Sequence, residues 1–235
     1  MTLFVSQPAP FVTQIVIDNQ AKRNAMSRSM MAELAALWDS LDGDHGCRCI
    51  VLTGAGGKAF CAGADIGGDL SVSEETAALV NRALLKTTTF TKPIVAAVNG
   101  DCAGGGVELL LSTDIRIAAP HARFGLPEVK WSIYPFGGAT TKLVQQIGYV
   151  HAMDLILTGR LVDAAFAQKI NLINRLAEEA NVLEEAIATA SVIASNSPDA
   201  VQAVKQQISD GIAKYAQSRE DMEQRLGNQV RTGRH

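Results

Sequence analysis

The sequence predicts an α/β core followed by a helical C-terminal part. Two patterns carry that expectation. A strand, a glycine-rich turn and a helix-period segment occur twice in succession, at residues 49–89 and 94–111, and a third strand follows at 114–118. From Ala139 onward the chain offers apolar residues at helical spacing and little strand signal. Composition is compatible: 47% of the 235 residues are apolar but only 5% are aromatic, so the core is sizeable, aliphatic and alanine-rich.

The elements follow in order. Residues 3–6 and 12–17 read as strands around the turn Gln7-Pro8-Ala9-Pro10. Ser27 caps a helix in which Met30, Met31, Leu34, Leu37, Trp38 and Leu41 recur on one face, and Asp42-Gly43-Asp44 ends it. Residues 49–53 form an apolar strand. Cys47 and Cys49, two apart, are expected to share a strand face. Gly54-Ala55-Gly56-Gly57 then turns the chain. Ser71 and Glu74 make a capping box for a helix running to about Thr89. Pro93 precedes a strand at 94–98, and Gly104-Gly105-Gly106 opens a short apolar helix through Leu111. Helices are expected at 150–157, 163–170, 182–194 and 198–215. The implied division is an α/β core at 1–138 carrying the site and a helical region at 139–235.

Several function classes fall away. With 21 Lys and Arg against 24 Asp and Glu, a net charge of -3 leaves no footprint for nucleic acid. The four cysteines, Cys47, Cys49, Cys61 and Cys102, lack zinc-site spacing and are expected as free thiols in a reducing, cytoplasmic compartment. The first residues do not resemble a signal peptide, and the apolar run at 109–111 is far too short to span a bilayer. Gly54-Ala55-Gly56-Gly57 misplaces the third glycine of a dinucleotide fingerprint. No Walker loop or nucleophile elbow occurs, and His45, His121 and His151 sit in no triad or metal spacing.

Three segments could carry chemistry. Residues 58–66 place small side chains after a strand, either as a tight turn or as a place where a ligand meets backbone N–H groups. Residues 98–108 place three glycines at a helix start, where unpaired N–H groups and the helix dipole favour an anion or a carbonyl oxygen gaining charge. Gly105 and Glu108 are three apart and share a helix face. The alternative is glycines kept for close packing beside a solvated Glu108. In Phe124-Gly125-Leu126-Pro127-Glu128-Val129, Glu128 is either a loop carboxylate or one whose apolar surroundings raise its pKa.

Together these segments resemble the enoyl-CoA hydratase/isomerase, or crotonase, superfamily. Asn24-Ala25-Met26 is similar to its early CoA-contacting segment. Ala62-Gly63-Ala64-Asp65-Ile66 and Gly104-Gly105-Gly106-Val107-Glu108 resemble its two oxyanion-hole segments, and Phe124-Gly125-Leu126-Pro127-Glu128 its second acid segment. The resemblance implies a spiral of repeated ββα units with a C-terminal helical region used in oligomerisation, as trimers or paired trimers. It implies that the amides of Ala64 and Gly105 form the oxyanion hole and that Glu108 and Glu128 are the two catalytic glutamates. Lys22, Arg23, Ala25, Ala62, Asp65 and Ile66 would lie along the CoA moiety. The implied reaction is hydration of a 2-enoyl-CoA, in acyl-CoA or fatty-acid metabolism. No metal or redox cofactor is expected, since coenzyme A belongs to the substrate. A double-bond isomerase, which can work with one glutamate at the Glu128 position, and a non-catalytic acyl-CoA binder are the alternatives. In Tyr134-Pro135-Phe136-Gly137-Gly138, Phe136 replaces a small residue and is expected to shape the acyl site. Family members usually continue past the equivalent of His235 through a helix that helps close that site.

Overall fold

From residue 49 to residue 125 successive strands alternate between two sheets, in a computed structural model that describes residues 2–65, 74–178 and 181–233. β1 (Thr2–Ala9) and β2 (Val12–Asp18) pair antiparallel. β1 runs on through Pro8, and the pairing shifts register between Ser6 and Ala9, which accommodates a residue with no N–H to donate. α1 (Arg28–Asp42) begins where Ser27 Oγ accepts from the Met30 amide at 3.2 Å. It buries Met30, Met31, Leu34, Ala35, Trp38 and Leu41.

β3 (Cys49–Gly54), β4 (Ala59–Cys61) and α2 (Glu74–Ala83) form the first ββα unit, and β5 (Ile94–Val98), β6 (Asp101–Ala103) and α3 (Gly105–Leu110) the second. β7 (Ile115–Ala118) and β8 (Arg123–Gly125) start a third. The leading strand of each unit joins a six-stranded sheet ordered β1-β2-β3-β5-β7-β10, and the trailing strand a four-stranded sheet ordered β4-β6-β8-β9. Beyond them come α4 (Val144–Ile147), α5 (Tyr149–Thr158), β9 (Leu161–Asp163), α6 (Ala164–Lys169), β10 (Arg175–Leu176), α7 (Val182–Ser195) and α8 (Pro198–Thr232).

The large sheet is parallel from β2 to β10 and covered on both faces, so its central strands β3 and β5 are buried throughout and almost wholly apolar. Ile50, Leu52, Ile94, Ala96 and Val98 point into the main core with α1. Cys49, Val51, Val95, Ala97 and Ile117 point the other way, against Val182, Ala186, Ala190 and Ala194 of α7. The alanine stripe lets that helix lie close to the sheet.

The structure departs from the sequence expectations at four places. Cys47 and Cys49 do not share a face: Cys47 precedes the strand, after the turn at 43–46, and packs in the main core, while Cys49 faces α7. All four thiols are buried and free. The expected capping residue Ser71 lies outside the described residues. α2 ends at Ala83 rather than near Thr89. Leu85 adopts φ 48°, Lys86 N–H donates to Asn81 O at 2.9 Å, and Leu85 N–H donates to Arg82 O at 3.2 Å. That is a Schellman ending with leucine where glycine is usual, so no glycine marks it. The part beyond 138 is not helical alone, since β9 and β10 add one strand to each sheet. α8 continues to Thr232 instead of stopping near Tyr215.

Candidate active site

β4, β6 and β8 run parallel and adjacent in the small sheet, so the segments leaving their carboxyl ends emerge together. Those segments hold Ala64, then Gly105 and Glu108, then Glu128. Clefts beyond the carboxyl ends of parallel strands are where open α/β sheets bind ligands.

Met26 and Ala64 form a single parallel bridge, in which Met26 N–H donates to Gly63 O at 2.8 Å and Asp65 N–H donates to Met26 O at 2.9 Å. This pairing uses the neighbours of Ala64 and leaves its own amide directed to the opposite side. Gly105 is the first residue of α3, so its N–H has no acceptor within the helix. Gly63 has φ 96°, and a Cβ there would sit 2.9 Å from Gly105 N; a Cβ on Gly105 would sit 3.5 Å from Ala64 N. The two amides are therefore neighbours across a junction that admits only glycine. Neither donates to a loop or turn carbonyl among the described residues. Paired donors of this kind suit an oxygen that acquires negative charge.

Glu108 lies one turn into α3 and is buried at 5% exposure. Its Oε1 accepts from the Ala139 N–H at 3.1 Å. Its Oε2 rests against Gly137, where any side chain would overlap it. Ala139 opens a π-helical turn, Ala139–Leu143, a form concentrated at functional sites. Glu128 sits in the 3-10 turn Pro127–Trp131. Its Oε1 packs near Gly104, at 3.1 Å from where a Cβ would be, and its Oε2 is buried without a hydrogen bond among the described residues.

Burial, and secondarily the charge of Glu128, pushes the Glu108 carboxyl up to about 8; the Ala139 and Gly137 amides and Lys86 oppose this. Burial raises Glu128 as well. Glu108, buried and facing the charge of Glu128, resists ionising while Glu128 is charged.

The segment before α1 packs along the first of these loops. Asn24 is buried and donates to Ala55 O and Ala59 O, while Asn19 donates to Ala25 O. Ala62 N–H donates to Arg23 O at 3.1 Å. Lys22 Nζ reaches Asp65 Oδ2 at 2.6 Å. Arg23 takes a left-handed φ of 53° and stands 3.6 Å from Asp101 Oδ2, which Arg123 also holds. Lys22, Arg23, Ala25, Ala62 and Asp65 are thus gathered beside the bridge that orients Ala64. Ile66 lies outside the described residues.

Sequence reasoning missed the far side of the site. Ala139, the donor to Glu108, carried no signal of its own, although the adjacent Gly137-Gly138 pair did. Lys86, Thr140 and Glu223 meet behind that turn from three separated stretches. The Phe136 ring stands on Gly227 of α8 and lies 5.1 Å from the Tyr134 ring, so it sits between the site's turn and the C-terminal helix. Among the described residues no group of three His, Cys, Asp or Glu is placed to hold a metal ion, and no helix is long and apolar enough to cross a membrane. Cavities of about 310 and 590 Å³ lie beside α8 near Asp114 and Lys205, and none of Ala64, Gly105, Glu108 and Glu128 lines them.

Comparison with known proteins agrees with this arrangement. A family model described as Enoyl-CoA hydratase/isomerase matches residues 9–235. The enoyl-CoA hydratase EchA19 of Mycobacterium tuberculosis is 42% identical over 201 residues, covering 83% of this chain and 75% of that protein. The mevalonyl-coenzyme A hydratase of Beauveria bassiana is 37% identical over 213 residues, covering 84% and 75%. The crystal structure of an enoyl-CoA hydratase from Bacillus anthracis superposes with a TM-score of 0.85 at 33% identity, covering 97% of this chain and 90% of that one. The chain belongs to the enoyl-CoA hydratase/isomerase family, and its two-sheet spiral is the crotonase fold.

Proposed function

We propose that this protein is an enoyl-CoA hydratase that adds water reversibly across the C2=C3 bond of a 2-enoyl-CoA thioester. The observation that carries the proposal is the pairing of two neighbouring amides, unengaged among the described residues, with two carboxyls of raised pKa at the same strand ends. The thioester oxygen accepts from Ala64 and Gly105. As the oxygen of water bonds to C3, the ionised carboxyl takes a proton from it, and the C=C electrons move toward the thioester to give an enolate held by the two amides. The protonated carboxyl then delivers its proton to C2. Dehydration runs the same steps backward with the carboxyl roles exchanged.

Lys22, Arg23, Ala25, Ala62, Asp65 and Ile66 serve the CoA moiety in this proposal, with Asp65 orienting the Lys22 ammonium. Phe136, fixed on Gly227, bounds the acyl end. The exposed apolar residues Val192, Val204 and Ile208 on α7 and α8 support self-association through the C-terminal helices, as a trimer or paired trimers.

The test is a hydration screen across straight, branched and aromatic 2-enoyl-CoA esters, with Glu108→Gln and Glu128→Gln as controls. Each variant is expected to lose ~10²–10⁴-fold in turnover while still binding the ester. Full turnover in either variant contradicts the two-carboxyl mechanism. Double-bond migration without water addition would identify an isomerase instead.

A further inference from the structure

Behind the turn that holds Glu108 lies a buried charge cluster that the reaction itself does not use. Lys86 and Glu223 are each 3% exposed. Lys86 Nζ stands 2.6 Å from Glu223 Oε2 and 3.8 Å from Glu220 Oε1, both on α8. The Thr140 hydroxyl donates to Glu223 Oε1, and Asn81 Nδ2 donates to Glu220 Oε1. Thr140 directly follows Ala139, whose amide holds Glu108. Gly138, one residue earlier, packs between the stems of Lys86 and Lys142.

We propose that Lys86, Glu223 and Thr140 are positioning residues through which α8 clamps the Ala139 turn onto Glu108. The proposal rests on the two-carboxyl reading of the reaction. A buried ion pair brings little net stability after desolvation, so the fold does not require one here; apolar residues of like volume could fill the space. What the pair supplies is a fixed cation near Glu108 and a rigid tether for the amide that hydrogen-bonds it. The groups facing Glu108 are Glu128 from its own turn, Tyr134, and Lys86 at the end of α2. Lys86 in turn faces Glu220 and Glu223 of α8 and Lys142 of the π turn, and Arg219 of α8 lies toward Tyr134. Of the ion pair, Lys86 is the member that acts on Glu108, favouring its ionised form. Removing the pair therefore raises Glu108 further.

Removal of one partner alone would strand a buried charge, so the test uses Lys86→Met/Glu223→Gln, with Thr140→Val and Thr140→Ser as a second set. The Glu108 carboxyl is titrated directly by infrared difference against Glu108→Gln, and the pH profile of hydration is measured in parallel. The double variant is expected to move the Glu108 titration and the alkaline limb upward. Thr140→Val is expected to lower kcat several-fold with KM unchanged, and Thr140→Ser to restore it. A folded double variant whose Glu108 titrates as in the parent overturns the proposal, whatever its turnover. Should the double variant not fold, Thr140→Val with the parent's titration and kcat overturns it equally. Indifference of turnover to Glu108→Gln would instead sink the two-carboxyl reading, while the direct titration still decides the clamp.

Discussion

The two sheets are laid down by one spiral of strands, yet they differ in strand length and in what their strands lead into. In the six-stranded sheet β3 and β5 are buried throughout and face apolar cores on both sides. In the four-stranded sheet β4, β6, β8 and β9 have three residues each, and β4, β6 and β8 lead into Ala64, into Gly105 with Glu108, and into Glu128. The long strands supply stability by burying area. The short ones act as pointers, bringing three distant loops to one place. Stability and chemistry should therefore be separable by mutation.

Ile94→Ala, in the large sheet, should produce the largest loss of stability, about 2–5 kcal/mol, with kcat/KM per folded molecule unchanged. Denaturant unfolding and active-site titration together check this. A comparable loss of kcat/KM in the folded fraction would erase the contrast between the sheets. Gly63→Ala should do the converse. It forces a methyl against the Gly105 amide at a left-handed φ, so turnover should fall ~10²–10³-fold in steady-state assays while the loss of stability stays near 1 kcal/mol.

A subtler separation appears in pH dependence. Glu108 is raised in the folded state from 4.5 to about 8. Its neutral form is thus favoured by folding, its contribution is fully present below about 4.5, and it is lost as pH rises to about 8. Stability should decline across that window, with a slope of at most about 1.4 kcal/mol per pH unit from this group. In Glu108→Gln the slope should flatten, as read by chemical denaturation at several pH values; an unaltered slope would show that Glu108 is not buried in its neutral form. The smallest effect is expected at the rim. Lys22 is half exposed, so Lys22→Ala should change stability by less than about 1 kcal/mol and raise KM for the CoA ester a few-fold without altering kcat.

The same contrast explains what the sequence reveals and what it hides. The strand Ile94–Val98 is legible because Pro93 and Asn99-Gly100 bracket an apolar run. α1 is legible through Ser27 and its apolar face. β4, β6 and β8 are too short to show alternation, and each exists only through a neighbour about 20 to 40 residues away. Gly105, Glu108 and Glu128 could be singled out because glycines and carboxyls stand at strand ends, whereas Ala64 is marked only by the resemblance to the family. Lys86, Thr140 and Glu223 could not: a lysine after a helix and a glutamate on a largely polar helix look solvated until α8 folds over them. The end of α2 was hidden likewise, since a leucine occupies the left-handed position.

The proposed reaction depends on the amides of Ala64 and Gly105 polarising the thioester carbonyl. Infrared difference spectroscopy of a carbonyl-labelled, slowly reacting 2-enoyl-CoA bound to the protein tests it most directly. The carbonyl stretch should move to lower frequency on binding, and most of that displacement should vanish in Gly63→Ala. A bound ester whose carbonyl vibrates as it does in water, or whose displacement survives Gly63→Ala intact, would contradict the account.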